Sequence, residues 1–255
     1  MNIVLIGSGN TAHALGRMCR RSGHEILQVF GRNAAKVPVL ASELEAMPVI
    51  GRWEMISPDA DLYVVALPDQ FLPELHQYFS PARGMVVHTA GSVPLSVLDK
   101  VSHDHGVLYP LQSLRAEVLH YSNIPLIVDG NTPENKTLLG DFAATLSGQV
   151  VYAGDEQRLH MHLAAVWVSN FTNYLYTIAW DICHQKGVDF RVLLPLMEHT
   201  VGRLHHFTPS EMQTGPAIRG DANTIGRHLE LLHNDAKTRE LYQLLSDAIA
   251  QYHRK

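Results

Sequence analysis

The chain has 255 residues, 46% of them apolar and 18% charged, with a formal net charge of −5. That balance fits a globular protein with a real core and excludes a disordered or collagen-like chain. The negative charge argues against a nucleic-acid partner, which needs a basic surface. Two widely separated cysteines, Cys19 and Cys183, leave no disulfide framework and no CxxC pair.

The first residues, MNIVLIG, read directly as a strand, Asn2–Ile6. No charged region followed by an apolar run precedes it, so a signal peptide is not expected. Asn10–Ser22 reads as a helix, Glu25–Phe30 as a second strand, Pro38–Leu44 as a short helix and Asp61–Leu67 as a third strand. A helix near Phe71–Phe79 and a strand at Gly84–Thr89 follow. Val107–Tyr109, Pro125–Val128 and Val150–Tyr152 read as further short strands. Strands of continuous apolar residues alternating with helices predict an α/β fold, a doubly wound, mostly parallel sheet covered on both faces.

From about Asp155 onward no strand is evident. Glu156–Lys186 reads as one long helix stopped by Gly187, with shorter helices at Phe190–Leu204, Thr224–Leu232 and Ala236–His253. TPSEMQTGPAIRGDAN between them reads as a loop. The expected organisation is an α/β domain over 1–154 and an all-α domain over 155–255. The most apolar stretch, Leu163–Trp180, contains Ser169, Asn170, Thr172, Asn173 and Thr177 and is too polar to span a membrane. A cytoplasmic protein without a membrane partner is expected.

GSGNTA, Gly7–Ala12, lies directly after a strand and directly before a helix. Gly7 permits the tight turn, and Gly9 lets backbone approach a pyrophosphate. Ala12 stands where a third glycine allows close helix–strand packing. The amides of Ser8, Asn10 and Thr11 then belong to the phosphate-facing helix start. In this context the motif points to a Rossmann dinucleotide site, the alternative being a structural glycine turn. The end of the second strand, Phe30-Gly31-Arg32-Asn33, has no acid for the ribose hydroxyls of NAD. Arg32 is placed to clamp a 2′-phosphate and Asn33 to donate to it, so NADP(H) is the expected cofactor. Two more strand ends face the same crevice: Ala66-Leu67-Pro68-Asp69 on the ribose side and Thr89-Ala90-Gly91-Ser92 nearer the nicotinamide.

On the long helix, α-helical spacing lines up His162, Val166, Ser169, Asn173, Thr177 and His184, with Asn170 beside them. Such a stripe serves either a substrate and nicotinamide or a buried structural network. His162 is the candidate proton carrier, with a satisfied core histidine as the alternative. The histidine pairs lack metal-site spacing, so no metal is expected.

GSGNTA, VVALPD, HTAGS, YPLQS at Tyr109–Ser113, SNFTN at Ser169–Asn173 and TGPAIRGDANTIGRHL at Thr214–Leu229 together resemble one family. It is the family of Rossmann-like proteins with a C-terminal helical domain of unknown function, often labelled NADP oxidoreductases. More distantly the chain is similar to pyrroline-5-carboxylate reductase, deazaflavin-dependent NADP oxidoreductase and the 6-phosphogluconate dehydrogenase superfamily. The resemblance implies homodimers built through the C-terminal helices and an active site in the cleft between the domains. It supplies no substrate. Hydroxyacid dehydrogenases of the superfamily carry a lysine four residues before the asparagine matched by Asn170; here that position is Val166. Relatives usually carry histidine where Tyr109 stands; if that histidine is catalytic, this chain has lost it or Tyr109 acts instead, and Gln112 and Ser113 remain candidate polar contacts to substrate. Thr214 and Arg219 are candidate substrate contacts, Arg219 either anchoring a carboxylate or pairing with Asp221 or Glu211. Two functions fit: an NADP(H)-dependent oxidoreductase for a small carbonyl or imine, or a non-catalytic NADP(H)-binding sensor or partner module. Use of a flavin or deazaflavin partner is a third idea, carried by distant similarity alone.

Overall fold

A computed structural model describes residues 1–254. The chain divides into two compact units, Met1–Phe171 and Thr172–Lys255. In the first, eight strands form one sheet: β1 (Asn2–Ile6), β2 (Glu25–Gly31), β3 (Met47–Ile50), β4 (Leu62–Val65), β5 (Met85–His88), β6 (His105–Pro110), β7 (Leu126–Gly130) and β8 (Val150–Tyr152). Their spatial order is β3-β2-β1-β4-β5-β6-β7-β8. All neighbours pair in parallel except β7, which runs antiparallel to β6.

Both faces of the sheet are buried, as the unbroken apolar strands require. Along β1, Ile3 and Leu5 point into one core and Val4 and Ile6 into the other. The first core is closed by α1 (Asn10–Arg21), α2 (Lys36–Glu43) and α3 (Pro133–Leu146), through residues such as Leu15, Leu40 and Phe142. The second is closed by short 3₁₀ segments at Trp53–Met55, Asp69–Gln77 and Leu95–Leu98. The helix expected near Phe71–Phe79 is thus a 3₁₀ segment, with Pro73 inside it removing a donor from the ladder. β3 and α3 add two elements to the expected set. β3 carries Pro48 and sits at the sheet edge, where proline is tolerated. In α3, Thr132 caps the helix by accepting from the Asn135 amide, with Pro133 in the first turn.

The helical stretch expected at Glu156–Lys186 forms as α4 (Asp155–Ala165), a π turn at Val166–Phe171, and α5 (Thr172–Gln185). Gly187 follows in the left-handed conformation, φ +67°. The compact units divide after Phe171, so α4 and the π turn belong with the sheet. The second unit continues with α6 (Leu194–Arg203), α7 (Pro216–Arg219), α8 (Ala222–Leu231) and α9 (Ala236–His253). The segment expected as one loop therefore contains the short α7. Only Ala217 and Ser246 are buried among the described residues of this unit. Large apolar side chains stand in the open instead, including Val192, Leu196, Leu231, Leu244 and Tyr252.

Candidate active site at the carboxyl edge of the sheet

The turn after β1 is shaped by contact. Gly7 has φ +136°, and a Cβ there would lie 2.2 Å from the Ala66 carbonyl oxygen at the end of β4. Its amide donates to the Phe30 carbonyl of β2, 2.8 Å away. The loop therefore seats between two strand ends, and no other residue fits at position 7. Gly9 differs: a Cβ there would meet nothing within 4 Å. It caps α1 without a side-chain hydrogen bond, and the first helical turn holds no acid. Unfilled space above an uncapped, electropositive helix start suits a pyrophosphate. Ala12 is fully buried against the sheet, Ser8 is half-buried beside Gly31, and Thr11 is half-exposed. Asn10 Oδ1 accepts from the Ala116 amide at 3.1 Å, which leaves its backbone and side-chain N–H groups for an anion.

After β2, Gly31 occupies the position where an acid would favour NAD. Arg32 is exposed, its guanidinium carbon 5.3 Å from the centre of the Phe71 ring. Phe71 belongs to an aromatic group with Trp53 and Tyr78. Asn33 is partly committed: its Oδ1 accepts from the amides of Ala35 and Lys36, each at 3.0 Å, opening α2. Only its amide nitrogen is left for a phosphate oxygen. Leu67 is half-buried and Pro68 exposed at the end of β4.

The loop after β5 meets the end of β6 and the helix α4. The Tyr109 hydroxyl and His162 Nδ1 lie 2.9 Å apart, with the rings edge-on at 68°. With the imidazole neutral, the phenol donates to Nδ1 and the ring proton resides on Nε2. Gly91 closes against this pair. A Cβ there would come within 2.8 Å of both His162 Nδ1 and the Tyr109 ring. Burial, with the charge of Asp69, raises the Tyr109 pKa above its ordinary value. Asp69 Oδ2 accepts from the Ser92 hydroxyl at 2.8 Å. Thr89 is half-buried and Ala90 is buried beneath the same turn.

Of three residues that local sequence reading passes over, two hold this loop to α4 and the third lies beside them. Asp155 Oδ1 accepts from the Leu95 amide at 2.9 Å and from Arg158 Nη2 at 2.7 Å. Arg158 Nη2 also donates to the Val93 carbonyl at 2.5 Å. Arg158 is 1% exposed, and its Nε and Nη1 have no hydrogen-bond partner among the described residues. Beside it lies His88, fully buried, with Nδ1 accepting from the Ala90 amide at 3.2 Å. Asp155, Arg158 and His162 are spaced three and four residues apart, so one face of α4 carries all three. That spacing was the available signal for Asp155 and Arg158; His88 lies at the end of an apolar strand and has none.

Gln112 and Ser113 are exposed, and the Gln112 side chain folds back to accept from the Ser113 amide. Ser169 and Asn170 lie exposed in the π turn, and Asn173 is exposed on α5. Of the two readings of the stripe, the buried structural network does not hold, because these side chains are exposed. A π turn spends an extra residue per turn, so α-helical spacing does not hold through it. In the second unit, Gln213 donates to the Thr214 carbonyl. Arg219 ends α7 and forms no ion pair among the described residues. Its expected acid partners are engaged elsewhere: Asp221 caps α8 through Thr224, and Glu211 accepts from Thr208.

A doubly wound sheet whose first turn is an open glycine cradle, with a cation and no acid after the second strand, defines an NADP-type dinucleotide-binding protein. Comparison with known proteins agrees. Residues 2–90 match the family model of coenzyme F420-dependent NADP oxidoreductases, and residues 124–249 match a domain of unknown function, DUF2520. A Bacteroides fragilis protein provisionally named an NADP oxidoreductase is similar at 37% identity, with 98% of each chain covered and a TM-score of 0.92. A Thermotoga maritima protein has the same fold at 17% identity, TM-score 0.80, with 99% of this chain and 100% of that one covered. The 1-pyrroline-5-carboxylate reductase of Streptococcus pyogenes shares the fold at 14% identity, TM-score 0.66, with 98% of each chain covered. No curated protein matches the chain. The chain belongs to the NADP oxidoreductase family that joins these two domains, and the nucleotide of that family is NADP(H). No helix among the described residues is long and apolar enough to cross a membrane.

Proposed function

We propose that the protein is an NADP(H)-dependent oxidoreductase that moves a hydride to or from a small carbonyl or imine. The observation that carries this reading is the Tyr109–His162 hydrogen bond closed over Gly91. When bound, the nucleotide supplies or takes up the hydride. The amides of the Ser8–Ala12 turn would hold its pyrophosphate, and Arg32 with the Asn33 amide its 2′-phosphate. Gly7 and Gly9 give the backbone the closeness this needs. Leu67, Pro68, Thr89, Ala90 and Gly91 line the strand ends along which the nucleotide would lie.

Tyr109 and His162 handle the proton. A phenol held protonated by burial and by Asp69 gives its proton to oxygen or nitrogen at the reacting carbon; His162, having taken a proton from solvent, returns one to the phenolate through Nδ1 and is left neutral. In the reverse direction Tyr109 takes the proton and passes it to Nδ1. Arg158 and Asp155 fix the loop that sets the height of Gly91 beneath the pair. Gln112, Ser113, Ser169 and Asn170 offer further polar contacts to a substrate. In the second unit, Asn173, Thr214 and Arg219 offer polar groups, and the unpaired Arg219 suits a carboxylate. The bare apolar side chains of α5–α9 support a homodimer formed through these helices. Light scattering of the purified chain at twice the monomer mass is the expected result.

The test of the nucleotide reading is calorimetric titration with NADPH and NADH. NADPH is expected to bind tightly, and Arg32→Ala to weaken NADPH alone, by about 10- to 100-fold for a lost charged hydrogen bond. A screen of imines and keto acids then follows with wild type, Tyr109→Phe and His162→Gln. Turnover that falls in both variants while NADPH affinity holds supports the proton pair. Absence of binding by either nucleotide overturns the oxidoreductase reading. Tight NADPH binding with full activity in Tyr109→Phe removes the pair from the chemistry.

A further inference from the structure

The segment between β6 and β7 forms neither helix nor strand from Leu111 to Asn123. It begins two residues after Tyr109 and runs to the start of α1, where it is tied down repeatedly. The Ala116 amide donates to Asn10 Oδ1 at 3.1 Å. Arg17 Nη1 donates to the carbonyls of Ala116 at 2.7 Å and Val118 at 2.9 Å, and Arg21 Nη1 to that of Leu119 at 2.9 Å. Asn10, Arg17 and Arg21 share one stripe of α1. Arg17 is itself braced by Glu43 of α2. The Tyr121 hydroxyl accepts from the Arg115 amide at 2.6 Å and donates to the Arg115 carbonyl at 3.2 Å.

These bonds fix the backbone of 115–116 beside the first residue of α1, yet nothing in them uses the Arg115 side chain. That side chain is exposed, and its one partner among the described residues is Glu117, at 3.3 Å between Nε and Oε2. A pair so exposed holds weakly. A cation is therefore anchored by its backbone beside a helix start that has no cap, no acid and open space above Gly9.

We propose that Arg115 is a pyrophosphate ligand of the bound NADP(H), carried on a strap that joins the Tyr109–His162 pair to the phosphate turn. The inference rests on the nucleotide reading above. Glu117 occupies the guanidinium in the free protein and gives it up to the nucleotide, because a pyrophosphate oxygen offers a stronger charge-assisted bond than an exposed carboxylate. The strap thus makes the phosphate turn two-sided: backbone amides from α1 below and a side-chain cation from the β6–β7 connection above.

Calorimetry with two ligands tests this. NADPH carries the pyrophosphate; adenosine 2′-monophosphate carries only the 2′-phosphate that Arg32 would hold. Arg115→Ala is expected to weaken NADPH about tenfold, a typical loss for one charged hydrogen bond, and to leave adenosine 2′-monophosphate unchanged. Arg115→Lys should recover part of the loss, and Glu117→Gln should tighten NADPH by removing the competitor. Arg32→Ala should weaken both ligands. The affinity of wild type should fall with added salt more steeply than that of Arg115→Ala. Unchanged NADPH affinity in Arg115→Ala overturns the proposal while the nucleotide reading stands. So does an equal loss for both ligands, which would mark a general disturbance of the turn. Failure of wild type to bind NADPH overturns both.

Discussion

His88 makes the protein acid-sensitive by an amount that follows from its surroundings. The imidazole is fully buried at the end of β5, its Nδ1 occupied by the Ala90 amide. Burial first, and then the charge of Arg158, push its pKa from 6.5 down to about 3. The folded protein therefore keeps His88 neutral, while the unfolded chain takes up a proton below 6.5. Stability from this group is complete above that value and drains away as pH falls towards about 3. Between pH 8 and pH 5 the loss comes to about 2 kcal/mol. Urea unfolding followed by tryptophan fluorescence at the two pH values measures it. Asn in place of His88 retains an acceptor for the Ala90 amide and cannot titrate. His13 and His24 are also lowered, mainly by burial, and contribute to the wild-type drop in both proteins. The drop should be about 2 kcal/mol smaller in His88→Asn. Equal drops in the two proteins would refute the reasoning.

Other consequences are equally direct. Gly91→Ala forces a Cβ to within 2.8 Å of His162 and Tyr109; a thermal melt should show a loss of about 1–3 kcal/mol for overpacking, and an unchanged melt would mean the rings are free to part. Asp155→Ala strands a buried guanidinium and should cost about 3 kcal/mol. Arg158→Met removes that charge together with its two unpartnered donors and should cost less than half as much; the reverse order in denaturant titrations would contradict the clamp. Burial pushes the Cys19 thiol up to about 12, whereas Cys183 is half-buried. Iodoacetamide at pH 8 should thus add one label to the native chain and two to the unfolded one, read by mass spectrometry.

What the sequence makes legible is what short spacing encodes. GSGNTA announces its turn because two glycines, a strand and a helix lie within a few residues of one another. The missing acid at Gly31 is visible for the same reason. The direction of β7 is not, since apolar composition carries no sense of direction. β3 is hidden by Pro48, which argues against a central strand and is harmless at an edge. Tyr109 and His162 are 53 residues apart, and only the folded sheet joins them. Arg158 looks like part of a solvated helix face until the loop of Val93 covers it. What sequence does not show is how Asn10 and Asn33 are oriented: their Oδ1 atoms accept from the Ala116 amide and from the amides that open α2, which leaves their N–H groups for an anion.

The π turn at Val166–Phe171 also bears on how this chain is compared with others. It spends one residue more than an α-helical turn, so the side chains after it are rotated from where an uninterrupted α-helix would carry them. Paired by residue count with a helix that has no such turn, every later position would fall on a different face. Val166 and Asn170, the two positions matched to a lysine and an asparagine four residues apart, both fall within it. Whether another side chain fills that lysine's place is therefore settled by superposing backbones on either side of the turn, since residue counting alone does not carry a face across it.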